Sequence, residues 1–514
     1  MGKKYVIGID SGTSVVKAVL FDLEGNELYV SARKTPVEEK FFGWSEYDMD
    51  IEWNEIVNAL KHLLSETKVD PEEIMSVGIC AKCGGACFLD KEMKPVRLGV
   101  LWNDARCAEM TSEWIDNGKM QQLFEATGSW QMTSSIGLVL PWFKENEPEA
   151  LEKSEVICAP DNWVCYKLTG ELAANASDFF NSCDENRQIS QKGLEISGIL
   201  DLADKFPPLI NPWEIGGYVT KEAEAQCGLK QGTPVVNMGW DAMCSTAGVG
   251  CVEAGQANII LGTSGVDIVV LPEKASSPML GSQSIHNVPG HYAQMIAPLT
   301  GTPNSDWYVK NFTYEDKCRS EKESRSVYAL FDEEIQKVPA GCNGTLYHPY
   351  MNAAGERAPF TDTNARGNFF GLTQHSDRMV MLRAVYEGMA FSNKHCLDAY
   401  TYPVHDIRMS GGGTKSPVWC QIFADVCNAN ITLVNGTEYG AKGAAWNSLV
   451  ATGYFKDHKE AAGVFCKVDR VYRPIPENVA VYQDLYEVYK QIPTALKPAW
   501  EARSKFLAKH GFQG

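Results

Sequence analysis

The sequence lacks the marks of several large protein classes. No run of 18 apolar residues occurs, so an ordinary transmembrane helix is excluded. A cationic excess is missing as well. Across 514 residues, 47 Lys and Arg face 65 Asp and Glu, a net charge of −18. A chain of that sign is poorly suited to nucleic-acid phosphates or to an anionic membrane surface. The pattern G-x4-G-K-[ST] is absent, which removes the usual lysine-bearing phosphate loop. Cys80-Ala-Lys-Cys83, followed by Cys87, has no second C-x-x-C or His pair nearby, so a structural zinc site lacks ligands. Low-complexity stretches, charge blocks and Pro/Gly-rich linkers are also missing. The apolar run near the start, Tyr5–Asp10, is too short for a signal segment, and a cytoplasmic location is expected.

What is present is an ordinary globular balance, with 44% hydrophobic and 22% charged residues. Sixteen cysteines spread over so long a chain read as reduced thiols rather than a disulfide framework. Strand and helix patterns alternate, which favours an α/β fold. Tyr5–Asp10 and Val15–Asp22 are β-branched runs around the small-residue turn Ser11-Gly-Thr-Ser14, a hairpin signal. Ile51, Trp53, Ile56, Val57, Leu60, Leu63 and Leu64 recur at helical spacing. A second helix is expected from Ser376, as N-cap, to Tyr400, with Met379, Leu382, Val385 and Met389 on one face. The opening hairpin has a counterpart: Asn258–Leu261, then Gly262-Thr-Ser-Gly265, then Val266–Leu271. Two such hairpins about 250 residues apart predict a duplicated architecture, with halves at 1–248 and 249–514 around a cleft.

A small-residue turn between strands presents backbone N–H groups with no side chain in the way, which suits phosphate oxygens. One copy alone reads as an ordinary hairpin; the pair points to a polyphosphate held from both sides by Thr13, Ser14, Gly262, Thr263 and Ser264. Asp10 ends the first strand beside such a turn and could hold Mg²⁺ directly or through water. A third glycine cluster, Ser410-Gly-Gly-Gly-Thr-Lys-Ser-Pro417, lies between a strand and a helix pattern. It is not G-x-G-x-x-G. Val235–Trp240 reads as a strand ending at Asp241, a carboxylate that either caps a helix or accepts a hydroxyl proton in phosphoryl transfer.

Together these features resemble the FGGY carbohydrate kinases. The resemblance extends through Leu101-Trp-Asn-Asp-Ala-Arg106, Asp161–Gly170, Gly355-Glu-Arg-Ala-Pro359, Arg366–Leu372, Arg383–Gly388 and Ser410–Ser416. It implies two actin-like, ribonuclease-H-like ATPase domains flanking a central cleft, and transfer from ATP with Mg²⁺ to a hydroxyl of a small sugar or polyol. By position, Asp241 matches the family's catalytic base and Asp10 its metal-associated aspartate. Thr13 and Thr263 match its phosphate-turn threonines, and Gly412, Gly413 and Ser416 fall where adenosine is held.

The acceptor loop after Ser76–Cys80 departs from the commoner members. Lys82-Cys83-Gly84-Gly85 stands where xylulose kinases usually have Gln-Met-His-Gly and glycerol kinases Gln-Arg-Glu-Thr. Lys82 could read a carboxylate or point outward, with the outward course favoured. Cys83 and Gly84 complete the loop. Trp102 offers an apolar face to C–H groups or packs in the core, and Asp104 could accept a substrate hydroxyl. The segments Gly8–Val19, Phe124–Gly128, Leu346–Tyr350 and Ala354–Phe360 lean toward erythritol kinases; a ketopentose such as xylulose is the alternative, and a sugar acid comes third, supported by Lys82 alone. A homodimer is compatible with this reading. A reading of another class, a non-catalytic nucleotide switch, would not need a base at Asp241.

Overall fold

The opening strand patterns pair as expected. β1 (Tyr5–Ser11) and β2 (Val15–Asp22) form an antiparallel hairpin, and β3 (Glu27–Lys34) extends it. Helix α1 (Met49–Thr67) starts at Asp48, whose side chain accepts from the N–H groups of Asp50 and Ile51. Its apolar stripe buries Trp53, Ile56, Val57, Leu60 and Leu63; Ile51 stays exposed. β4 (Ile74–Ala81) runs parallel to β1 on the side away from β2. The short β5 (Gly217–Tyr218) pairs antiparallel with β6 (Pro234–Trp240), which runs parallel to β4. The strand order is β5-β6-β4-β1-β2-β3.

This computed structural model describes residues 2–82, 84–177, 182–184, 186–274 and 282–512. They form two units: Met1–Ala254 with Val270–Gln294 and Asn435–Lys467, and Gly255–Val269 with Met295–Val434 and Val468–Gly514. The units are interleaved, where halves of 1–248 and 249–514 would be consecutive. The reason lies in packing: helix Tyr439–Ala451 sits against β1, β4 and β6 of the first sheet.

Strand pleat separates the two faces of that sheet. Ile7, Ile9, Val77 and Ile79 point into the core shared with α1. The alternate residues Gly8 and Gly78 face helix Tyr439–Ala451, where a Cβ would collide with the carbonyls of Ala441 and Ala444. Backbone therefore meets backbone. Another apolar cluster in the same unit, including Phe88, Val100, Cys107, Leu123 and Phe143, supports the segment 101–106.

The second unit repeats the pairing pattern. β7 (Gln256–Leu261) and β8 (Gly265–Leu271) form the second hairpin. β9 (Asp406–Ser410) runs parallel to β7, and β10 (Ile431–Val434) runs parallel to β9. An antiparallel hairpin followed by parallel neighbours thus occurs in both units, as expected of a duplicated α/β fold. Between these strands, α3 (Arg378–Leu397) buries Met379, Leu382, Val385 and Met389. Its N-cap is Asp377, not Ser376, because the Asp377 carboxylate takes the N–H groups of Met379 and Val380, while Ser376 Oγ accepts from Thr373 N at 3.1 Å. The helix ends at Leu397, short of Tyr400.

Close glycine packing makes a sharp prediction. Gly78→Ala should destabilise the protein by roughly 3 kcal/mol or more, since two backbones must separate. Gly463, exposed in the helix His458–Phe465 with nothing near its missing Cβ, should respond oppositely, Gly463→Ala adding about 0.5–1 kcal/mol. Urea midpoints of the two variants check both directions.

Candidate active site

Parallel pairing brings the carboxyl ends of β1, β4 and β6 to one edge. Asp10 is level with Cys80, and Gly239 is level with Cys80 through a register shift after Asn237. This bulge, with Gly239 at φ 87°, redirects the chain so that Asp241 opens helix α2 (Asp241–Gly248). Asp241 is half-buried, and its Oδ1 accepts from Ala242 N at 2.7 Å. Burial, reinforced by the charge of Asp10, pushes its pKa up to about 7. Asp10 is raised to about 6, again chiefly by burial, against the opposing pull of Lys17. Lys17 Nζ pairs with Glu438 at 2.6 Å. Gly440 leaves room for Asp10: a Cβ there would lie 3.0 Å from Oδ2. The Cys80 thiol hydrogen-bonds Asp10 and Cys244, and burial pushes it well above its ordinary value. Cys80 is thus a protonated packing partner of the aspartate.

The first turn places Thr13 and Ser14 at the surface beside Asp10. Trp102 is 38% exposed, and its Nε1 donates to Thr13 Oγ1 at 3.0 Å. Trp102 is therefore no core residue; it stands over the turn. Gly84, at φ 71°, lies against it, with a Cβ position 3.4 Å from Trp102 Cβ and 3.5 Å from Ser134 Oγ. Cys83 lies outside the described residues.

Two acceptor-side expectations need correction. Lys82 does not point outward: it is 3% exposed and ion-paired with Glu52 of α1. Asp104 has no oxygen left for a substrate hydroxyl. Its Oδ1 accepts from Arg106 N and Nε at 3.0 and 2.8 Å, and its Oδ2 from Ser45 N and Arg106 Nη2 at 2.7 and 2.9 Å. Asp104 fixes the loop that carries Trp102. Glu52, Glu438 and Gly440 escaped sequence reasoning because each acts on a partner distant in sequence.

In the second unit, Gly262, Thr263 and Ser264 form the tip between β7 and β8. The tip is braced by Gly301 N and Thr302 N, which donate to Thr263 O (2.8 Å) and Gly262 O (2.7 Å). In the third glycine cluster, Gly413 is buried against Leu261, whereas Gly412 has open space around its Cα. Ser416 caps helix α4 (Pro417–Cys427) by accepting from Trp419 N at 3.1 Å, and donates to Asp332 Oδ1 at 2.6 Å. Only Gly412 of these three is left bare for a ligand's close approach. The cap geometry makes Ser416 a local organiser, and Asp332 joins it unannounced by any motif.

Among the described residues no three His, Cys, Asp or Glu side chains converge on a metal position. Mg²⁺ needs no such cage, because phosphates and water supply most of its ligands, and Asp10 offers a hard carboxylate oxygen of the kind it takes. No helix among these residues is long and apolar enough to cross a membrane.

Duplicated hairpin units, with aspartates at the strand ends of the first, define the class: a two-domain α/β phosphotransferase with actin-like ATPase folding. Residues 5–248 match the FGGY family of carbohydrate kinases, N-terminal domain, and residues 257–452 match its C-terminal domain; the chain belongs to this family. It is 28% identical to the protein named Xylulose kinase of Bacillus subtilis (strain 168), over 98% of this chain and 99% of that one. Erythritol kinase of Brucella abortus (strain 2308) is 26% identical, over 96% and 97%. The crystal structure of xylulose kinase from Rhodospirillum rubrum superimposes with a TM-score of 0.85 at 25% identity, covering 97% of this chain and 100% of that one.

The raised carboxyl predicts a pH signature. In the unfolded chain Asp241 titrates near its ordinary 3.8, so a folded value of about 7 opposes folding increasingly as the pH rises from the lower value to the higher, and in full above both. In nucleotide-free, metal-free protein, Asp241→Asn should match wild type below about pH 4 and gain on it as the pH rises to about 7, by roughly 1–3 kcal/mol. Thermal melts across pH 4–8 check this; a constant difference would show that the carboxyl is not so perturbed.

Proposed function

We propose that the chain transfers the γ-phosphoryl group of ATP to a hydroxyl of a small sugar or polyol, with Asp241 as base. The observation that carries this is the state of Asp241. One of its oxygens is occupied by Ala242 N, and burial puts its proton affinity near neutrality. A carboxylate so poised accepts the hydroxyl proton as the new O–P bond forms and ADP leaves. Asp10 would hold Mg²⁺, whose charge screens the transferring group. Thr13 and Ser14 in the first unit, and Gly262, Thr263 and Ser264 in the second, would bind phosphate oxygens through turn N–H and hydroxyl groups. Gly412 would lie closest to adenosine, with Gly413 and Ser416 shaping that turn.

On the acceptor side, Trp102 and Gly84 would line the site. Among acceptors, a short polyol such as erythritol and a ketopentose such as xylulose are both supported, the former by sequence segments and both by relatives bearing those names. A non-catalytic switch has less support, since it gives no work to Asp241.

Asp241→Ala should lower acceptor-dependent ADP formation by about 10²–10⁴-fold while leaving the Kd for ATP unchanged. Turnover near the wild-type rate in a polyol and ketose panel would remove Asp241 as base. ADP release that ignores every acceptor would favour the switch.

A further inference from the structure

The acceptor side holds a cation that the proposed transfer does not use. Lys82 directly follows β4, and its N–H donates to Ser11 O at 3.0 Å, tying the start of the acceptor loop to the end of β1. Its side chain turns inward. Nζ pairs with Glu52 Oε1 and lies 4.0 Å from the centre of the Tyr47 ring. Lys82, Glu52 and Tyr47 are 3%, 1% and 2% exposed. Glu52 Oε1 also accepts from Ser11 Oγ, and its other oxygen is buried with no partner. An ammonium enclosed by a carboxylate and an aromatic face has no charge left to offer a ligand.

Among the described residues, the other cations of this region are already matched. Lys17 is matched by Glu438, and Arg106 by Asp104 and Glu46. Asp10 and Asp241 remain, and neither offers a counter-charge to the carboxylate of a sugar acid. We propose that the Glu52–Lys82 pair commits the acceptor site to uncharged polyols and ketoses and excludes sugar acids. This rests on the kinase reading above. Glu52 is here a positioning residue: it keeps a flexible cationic side chain away from Gly84 and Trp102, where an aldonate carboxylate could otherwise meet it.

The test is an ADP-formation assay with erythritol, D-xylulose and L-xylulose against gluconate and other aldonates. Wild type should favour its best neutral acceptor over any aldonate by roughly 100-fold or more in kcat/KM. Glu52→Gln, which leaves Lys82 unmatched, should raise the aldonate-to-neutral ratio about tenfold. The double variant Glu52→Gln/Lys82→Gln removes both charges, keeps polar groups at both positions and should retain the neutral preference. Three results overturn the proposal: wild-type use of an aldonate within about tenfold of the best neutral acceptor; a folded Glu52→Gln with an unchanged ratio; or a double variant that keeps the raised aldonate ratio of Glu52→Gln. Should Glu52→Gln fail to fold, the wild-type ratio still decides, since an aldonate used within about tenfold of the best neutral acceptor overturns the proposal. Aldonate turnover would leave the kinase reading standing, whereas no acceptor-dependent turnover at all would reject both.

Discussion

The first unit depends on one contact, the backbone-to-backbone packing of helix Tyr439–Ala451 against the sheet. Gly8 and Gly78 open the sheet face to the carbonyls of Ala441 and Ala444, and Gly443 and Gly248 let the helix meet α2. Close packing of this kind tolerates no methyl group and little drift. Because pleat puts Asp10 and Cys80 on the same face as Gly8 and Gly78, the helix start arrives directly at Asp10. Asp241 is placed by the same contact, since α2 carries it at its first residue. The aspartates are thus held by main chain, which moves less than side chains do and suits a reaction that depends on position.

The electrostatics follow from that burial. Asp10 and Asp241 sit in a setting that disfavours charge, and each lacks a tightly bound cation of its own; Lys17 is shared with Glu438. Both carboxyls rise toward neutrality. The turns proposed to bind phosphate contain Gly, Thr and Ser with no Lys or Arg. A chain of net charge −18 can therefore receive a polyanionic co-substrate through oriented N–H groups.

Much of this was legible in the sequence. Apolar β-branched runs around Gly-Thr-Ser are local signals, and both hairpins stand where they were read. The strand read as ending at Asp241 is there and stops one residue earlier, at Trp240. What escaped depends on distance or on neighbouring choices. Ser376 and Asp377 are both able to cap, and only the turn at Thr373 decides between them. Lys82 and Glu52 are 30 residues apart, on a strand end and a helix, with no spacing rule to join them. Asp104 looked free because a sequence does not show its bidentate grip on Arg106. The interleaving of 435–467 with the first unit leaves no trace in composition.

That interleaving reaches into biosynthesis. The strands of the first sheet leave the ribosome early, yet the helix that covers their glycine face is encoded more than 350 residues after β4. Until Ala451 has emerged, the nascent sheet presents bare backbone and the aspartates have no ceiling. The second unit's strands β7 to β10 are all translated within that interval. The first unit therefore cannot complete its packing in the N-terminus-first order common in large chains. A chain cut short before residue 439 would carry the strands of the first sheet without the helix that covers their glycine face.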